Sequence, residues 1–394
     1  MTTSSERIRA WTGPAILSGG FRPFFLMAGL WAALAMTLWL AMLSGLMALP
    51  TAFDPVGWHA HEFLWGYLAA VMAGFLLTAV PNWTGRLPIV GWPLAALAGL
   101  WLVGRLAVAF SAHLPLWIAA LADLAFLAAL ALALGREIVA GRNWRNLPVL
   151  ALVALMLAAN AAWHGGATGV ALRGGIAVAV ALIALIGGRV VPSFTRNWLA
   201  RQPAPGRLPV PANRADTGVM VLTVATLALW VALPDAVPTA IAALLTGLAN
   251  LWRLSRWAGG RTLSEPLLWV LHLGFGFVPL GFLLLAGAAL WPAGMPRTGM
   301  EHAWLAGAIG VMTLAMMSRA TLGHSGRALS AGRGTVAVYL LVAGAALARI
   351  AAGFLPGQIW LLTLSGSAWV AGFGGFALLY APLFLRPRAG ARRG

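Results

Sequence analysis

The sequence predicts an all-α polytopic membrane protein with about twelve transmembrane helices. Three observations carry that reading. Of 394 residues, 61% are hydrophobic and only 9% charged, with mean hydropathy +0.87, whereas soluble domains carry roughly 25% charged residues. Apolar runs of about 20 residues follow one another, the length that crosses a bilayer as a helix. Alternate connections between these runs are rich in Arg and the others are not. Together these exclude a soluble enzyme, and runs without strict alternation exclude a β-barrel.

The elements read in order as spans 24–47, 56–80, 88–109, 114–134, 147–165, 170–190, 217–233, 237–252, 266–290, 302–318, 335–354 and 358–384. The polar start MTTSSERIRA, with Arg7 and Arg9, precedes a run too long for a signal-peptide core, so the first span stays in place. Pro50, Pro81, Pro88, Pro115, Pro148, Pro192, Pro234 and Pro356 mark the span ends. Spans seven and eight are short. The segment 194–216 is the longest connection, and it divides the chain in the way a 6+6 transporter would be divided.

Lys is absent, and the formal net charge of +17 rests on 26 Arg. All but four of these (Arg105, Arg173, Arg297 and Arg349) fall on one side of the span plan, together with both termini. The positive-inside rule then places both termini in the cytoplasm of a multi-pass protein. The charge orients helices and faces anionic lipid, so the expected partner is a bilayer and not nucleic acid. The inner ends of spans 2, 6 and 10 read AVPNWTGR, VVPSFTRN and MMSRATLG. This suggests three four-helix units, approximately 20–135, 136–255 and 256–386, within one membrane domain.

Cysteine is absent, which excludes disulfides, iron–sulfur clusters and thiolate-held haem or copper. A metal must be held by His, Met, carboxylate or backbone. His59, His61, His164 and His302 all map to the outer ends of spans 2, 5 and 10. In WHAHE (58–62), Asp54-Pro55 is a helix start, so His59 and His61 occupy the first turns. They lie about 200° apart around a helix and serve opposite faces. Glu62 follows His59 by three and shares its face. In TGMEHAW, Thr298-x-x-Glu301 reads as a capping box, placing His302 in the first turns of span 10. Two helices then present His at similar depth, suited to clamping a haem iron or holding copper. Gly66, Gly74, Gly307 and Gly310 leave room for a flat macrocycle or for close helix contact. On the inner side, His272 and His324 accompany Arg86, Arg189, Arg196, Arg319 and Arg327, a set that suits haem propionates or anionic headgroups. Asp123 is the one carboxylate read near mid-membrane, either a proton carrier or a satisfied hydrogen-bond partner.

Several segments resemble the NnrS family of bacterial inner-membrane proteins: GFRPFFLMAGLWA (20–32), WHAHEFLWGY (58–67), GFLLTAVPNWTGR (74–86), GRNWRNLP (141–148), GGRVVPSFTRN (187–197), LLWVLHLGF (267–275) and HAWLAGAIGVMTLAMMSRATLGHSGR (302–327). The resemblance implies a twelve-helix protein with haem b and copper, linked to nitric oxide, denitrification and protection against nitrosative stress. It carries over to His59, His61, His272, His302 and His324. A weaker similarity is to haem–copper oxidases, which bind haem through histidines of helices 2 and 10; their adjacent-histidine copper motif has no counterpart in span 7. The expectation is that His61 and His302 hold haem axially while His59, His164 and Glu62 hold copper. Arg86, Arg196 and Arg319 would then line the cofactor's anionic edge. Nitric oxide or another small diatomic would be the ligand, and a quinol or cytochrome the electron donor. Two competitors are a twelve-helix secondary transporter and a regulator whose haem senses nitric oxide without turnover.

Overall fold

The computed structural model describes residues 11–388 apart from Leu87, Pro205, Pro292 and Ala293. Arg7 and Arg9 lie outside the described residues. Twelve helices are long and apolar enough to cross a membrane, and no strand occurs among the described residues. They are α1 (Phe21–Leu43), α2 (Pro55–Pro81), α3 (Trp92–Ala109), α4 (Leu116–Ala140), α5 (Leu147–His164), α6 (Thr168–Leu199), α7 (Arg214–Ala232), α8 (Val237–Ser255), α9 (Pro266–Leu290), α10 (Arg297–His324), α11 (Arg333–Phe354) and α12 (Ile359–Leu385). Large apolar side chains point outward on most of them, including Leu102, Leu132, Leu155, Val221, Leu245 and Leu378. Such faces suit hydrocarbon, and the chain is a multi-pass membrane protein.

Several boundaries differ from the sequence reading for identifiable reasons. Span 1 was expected to reach Met47 but stops at Leu43. Gly45 adopts φ +72, Gly45 N donates to Met42 O (3.1 Å) and Leu46 N to Ala41 O (2.9 Å), which closes the helix in a Schellman motif. Span 6 was expected to stop at Val190, before Pro192, yet α6 runs to Leu199 with the proline inside it. A helix that stopped short of the water would leave carbonyls without donors, so proline is tolerated inside. The expected Thr298/Glu301 capping box does not form. Pro296 is the N-cap, α10 begins at Arg297, and no side chain caps it. Pro296 fixes the backbone φ where the chain enters the helix but offers no side-chain acceptor to its first N–H groups. A capping box does form at α7, between Asn213 and Asp216. At α2 the expected start holds: Asp54 Oδ1 accepts from Val56 N and Gly57 N, both at 3.0 Å, with Pro55 at N1.

The chain divides into two compact units. The first gathers residues up to Gly175, with Met317–Leu329 and the chain from Phe373 onward. Its core holds Phe24, Phe25, Trp58, Trp65, Tyr67, Phe373 and Phe376, all essentially without exposure. Tyr67 meets Phe373 edge-on at 5.2 Å. The buried Arg22 caps the end of α12, its Nη1 donating to the carbonyls of Leu383, Phe384 and Arg386 at 3.1, 2.9 and 2.7 Å. A cation there also meets the negative end of the helix dipole. Hydrogen bonds to charged groups contribute a net of about 1.5–3 kcal/mol each. Arg22→Ala is therefore expected to lower stability by about 2 kcal/mol, read as an earlier thermal unfolding in detergent. An unchanged transition would mean that water serves these carbonyls equally well.

The second unit gathers Ile176–Met316 and Ser330–Gly372. Trp304 packs between Trp230 (5.3 Å) and Phe282 (4.9 Å). The facing sides of α7 and α8 carry a polar seam: Thr226 Oγ1 to Thr246 Oγ1 at 2.7 Å, Asn250 Nδ2 to Thr223 Oγ1 at 3.0 Å and Arg253 Nε to Asp216 Oδ1 at 3.1 Å. Hydrogen bonds of this kind hold helices together where hydrocarbon cannot. A π-helical turn follows a histidine in each unit, at Glu62–Leu68 after His61 and at Ala303–Val311 after His302. Such turns are frequent at functional sites.

Candidate metal centre

The first unit contains a nest of charge built from four helices. His61 and Glu62 come from the second turn of α2, Arg105 from the last turns of α3, Asp123 from the second turn of α4, and Asn160 and His164 from the end of α5. The alternation of chain direction puts all six at one end of the unit, a turn or two in from the loops. Asn160 and His164 are four apart and share a face of α5. Asn160, His61, Glu62, Arg105 and Asp123 are all buried, and His164 is nearly so.

Asp123 is the hub. Its Oδ2 lies 3.1 Å from His61 Nε2, 3.0 Å from His164 Nε2 and 2.8 Å from Asn160 Nδ2, which donates to it. Its Oδ1 accepts from Arg105 Nη2, and Arg105 Nη1 donates to Glu62 Oε1 at 2.6 Å. His61 Nδ1 lies 3.1 Å from the same Glu62 oxygen, and His61 Nε2 also lies 3.2 Å from Asn160 Oδ1. Each His61 nitrogen therefore faces oxygens, so each presents either a proton or, in its place, a lone pair to a cation. Phe53, in the loop before α2, lies over the nest, 5.4 Å from the His61 ring and 6.0 Å from that of His164. Trp65 and Trp163 wall the sides at 5.1 and 5.9 Å from His61.

Two observations bear on what the nest holds. Among the described residues, His61, Asp123 and His164 are a group whose ligand atoms all come within 4.8 Å of one another. Two imidazoles and a carboxylate form a donor set for copper, zinc or iron. Two carboxylates face one guanidinium, with the His61 ring within 3.1 Å of both carboxylates. Glu62 Oε2 is buried without a hydrogen-bond partner, and such an oxygen calls for an explanation such as a cation. The residues fit a single small cation.

They fit a flat macrocycle poorly at this place. A Cβ on Gly66 would lie 2.7 Å from Trp31 Nε1, 2.8 Å from Glu62 Oε2 and 3.1 Å from Arg105 Nη1. The space beside Gly74 is taken by Phe25, beside Gly307 by Phe277 and beside Gly310 by Trp369. Of the two readings of these glycines, close helix contact is the one observed.

The remaining candidates fall elsewhere. His59 turns away from the nest and stacks on Trp39 at 4.2 Å, with Phe63 at 4.6 Å. His302 is half-buried in the second unit and donates from Nδ1 to Thr298 O at 2.7 Å, which makes Nε2 its basic nitrogen. His272 Nε2 meets Thr195 Oγ1 at 2.9 Å while that hydroxyl donates to Val191 O, so the imidazole is the donor and its buried Nδ1 is the lone-pair atom, facing Gly259. His324 ends α10 with its ring 5.5 Å from that of Phe21. Arg86 pairs with Glu137, Arg196 donates to Pro209 O at 3.0 Å, and Arg319 is half-buried near the end of α10. The sequence reading missed Arg105, which it counted as an outer-end charge, and Asn160. Besides Asp123, Glu62 and Asp216 are buried. An Arg inside the apolar run LWLVGRLAVAF and an Asn four residues before a His were the available signals.

No curated protein matches the chain. A family model described as NnrS protein matches residues 15–388, nearly the whole of it. The chain belongs to the NnrS family.

Proposed function

We propose that this membrane protein holds copper in the His61–Asp123–His164 nest and acts on nitric oxide or its products in protection against nitrosative stress. The observation that carries the proposal is the convergence of two imidazole nitrogens and a carboxylate oxygen in a buried cluster. Family membership supports the link to nitric oxide. Bound copper supplies one-electron chemistry and a position for a diatomic ligand. The protein's own part is orientation: Arg105 and Glu62 fix Asp123 and His61, Asn160 holds the shared oxygen, and Phe53 keeps water off. Of the two histidines proposed as axial haem ligands, both nitrogens of His61 are committed to the nest, which leaves His302. In the proposal, haem b is therefore carried by His302, in a bacterial inner membrane, with a quinol or cytochrome donor.

Metal analysis and reduced-minus-oxidised spectra of the detergent-purified protein test this. Near-stoichiometric copper is expected, lost in His164→Ala, with b-type bands retained in that variant and lost in His302→Ala. Wild-type protein free of copper would overturn the copper site. A second reading has its own support. Glu62, Asp123 and Asp216 are all buried, which restores the proton-coupled transporter as a competitor. Substrate-driven proton uptake by vesicles holding metal-free protein would favour it.

A further inference from the structure

The chain leaving α6 and the chain leaving α8 meet, within the second unit, around a cavity of about 580 Å3. Its lining includes Arg207, Arg256, Arg261, Ser255, Gly206 and Val210, with no carboxylate among the lining residues. The three guanidiniums are held differently. Arg256 lies over the Trp252 ring, 4.4 Å from its centroid. Its nearest carboxylate, Asp216 Oδ1, is 3.6 Å away and already takes Arg253 at 3.1 Å. The Arg256 atom that faces Asp216 is the buried Nη1, an ion-pair contact too long for a hydrogen bond. Arg261 braces the facing loop, donating from Nη1 to Arg207 O at 2.9 Å and from Nη2 to Ala204 O at 3.3 Å. That approach requires glycine at 206, where φ is +54 and a Cβ would stand 3.1–3.3 Å from the Arg261 guanidinium. Arg207 is exposed at the rim. The loop is thus built around a cationic hollow lined by three guanidiniums.

We propose that this hollow binds a phosphate group, as the phosphodiester of an anionic phospholipid or as free inorganic phosphate. Guanidinium forks match phosphate oxygens. The cavity lies where α8 ends, next to the outward-facing Leu251 and Trp252. That is the level at which a lipid headgroup sits beside a membrane helix, with tryptophan at the border. The site is separate from the metal nest and does not depend on its contents.

The test uses full-length protein in detergent, probed with phosphatidylglycerol by native mass spectrometry and with inorganic phosphate by calorimetry. Phosphatidylcholine is the control. Wild type is expected to hold at least one of the two anionic probes, and Arg256→Gln to weaken it about tenfold. Arg207→Gln, at an exposed position, carries the same comparison should Arg256→Gln fail to fold. Retention of phosphatidylglycerol alone identifies lipid as the source. Binding of phosphate alone identifies the free anion, and both results uphold the site. Equal binding by wild type and both variants, or no binding by wild type, overturns it.

Discussion

Asp123→Asn is expected to bring the copper content below about a tenth of the wild-type value and to destabilise the first unit even without metal. Asp123 Oδ2 is the oxygen on which His61, His164 and Asn160 converge, and Oδ1 takes Arg105. The amide keeps the shape but loses the charge. Arg105 then retains only Glu62 as a buried counter-charge. Breaking a buried ion pair from one side costs about 3–5 kcal/mol. His164→Gln separates the two effects, because it removes a ligand and leaves the carboxylate–guanidinium balance intact. Its thermal transition should match wild type in chelated protein and fall below it only in metal-loaded protein, since ligand binding stabilises in proportion to ln(1 + [L]/Kd). Copper retained at wild-type level in both variants would show that the metal sits elsewhere. A transition in Asp123→Asn matching that of chelated wild type would show that the nest is open to water.

Much of this site was legible in the sequence, and its limits are physical. Asp54-Pro55 fixes where α2 begins, so it also fixes the depth of His59 and His61. The two-residue spacing puts them on opposite faces of a helix. Which face turns inward is not written locally. It depends on α3, α4 and α5 meeting α2 on the His61 side, and the sequence reading gave copper to His59 and haem to His61. The structure gathers His61 with His164 and leaves His59 stacked on Trp39. Arg105 was hidden for the same reason. Counted along the chain it is a cation near an outer end, and only the packing of α3 against both α2 and α4 turns it into the partner of Glu62 and Asp123. Helix ends show the opposite situation. Gly45 stops α1 through its own backbone freedom, a local property open to sequence reading. Pro192 did not stop α6, because in a membrane the cost of unpaired carbonyls outweighs the local penalty of proline.

Arg105 and Glu62 give the second large expected effect, best measured as a double-mutant cycle. Arg105→Gln alone leaves Glu62 and Asp123 facing one another in a fully buried space, and should cost about 3–5 kcal/mol. Glu62→Gln alone should cost less. Arg105 keeps Asp123, and the lost carboxylate had one oxygen without a partner already. In the double variant one guanidinium and one carboxylate leave together, so the formal charge of the nest returns to its original value. Coupled buried groups show interaction energies of about 0.5–3 kcal/mol, and the double variant should be more stable than the sum of the singles by an amount in that range. Denaturant titration of the chelated protein in mixed micelles reads this without interference from the metal. Copper content then gives a separate answer. His61, Asp123 and His164 are untouched in the double variant, so it should still bind copper, more weakly because two of the groups that orient the ligands are gone. Additive singles would mean that Arg105 and Glu62 act independently, each through its own contact with Asp123 or His61. A double variant that binds copper as tightly as wild type would mean that the ligands hold their positions without this support.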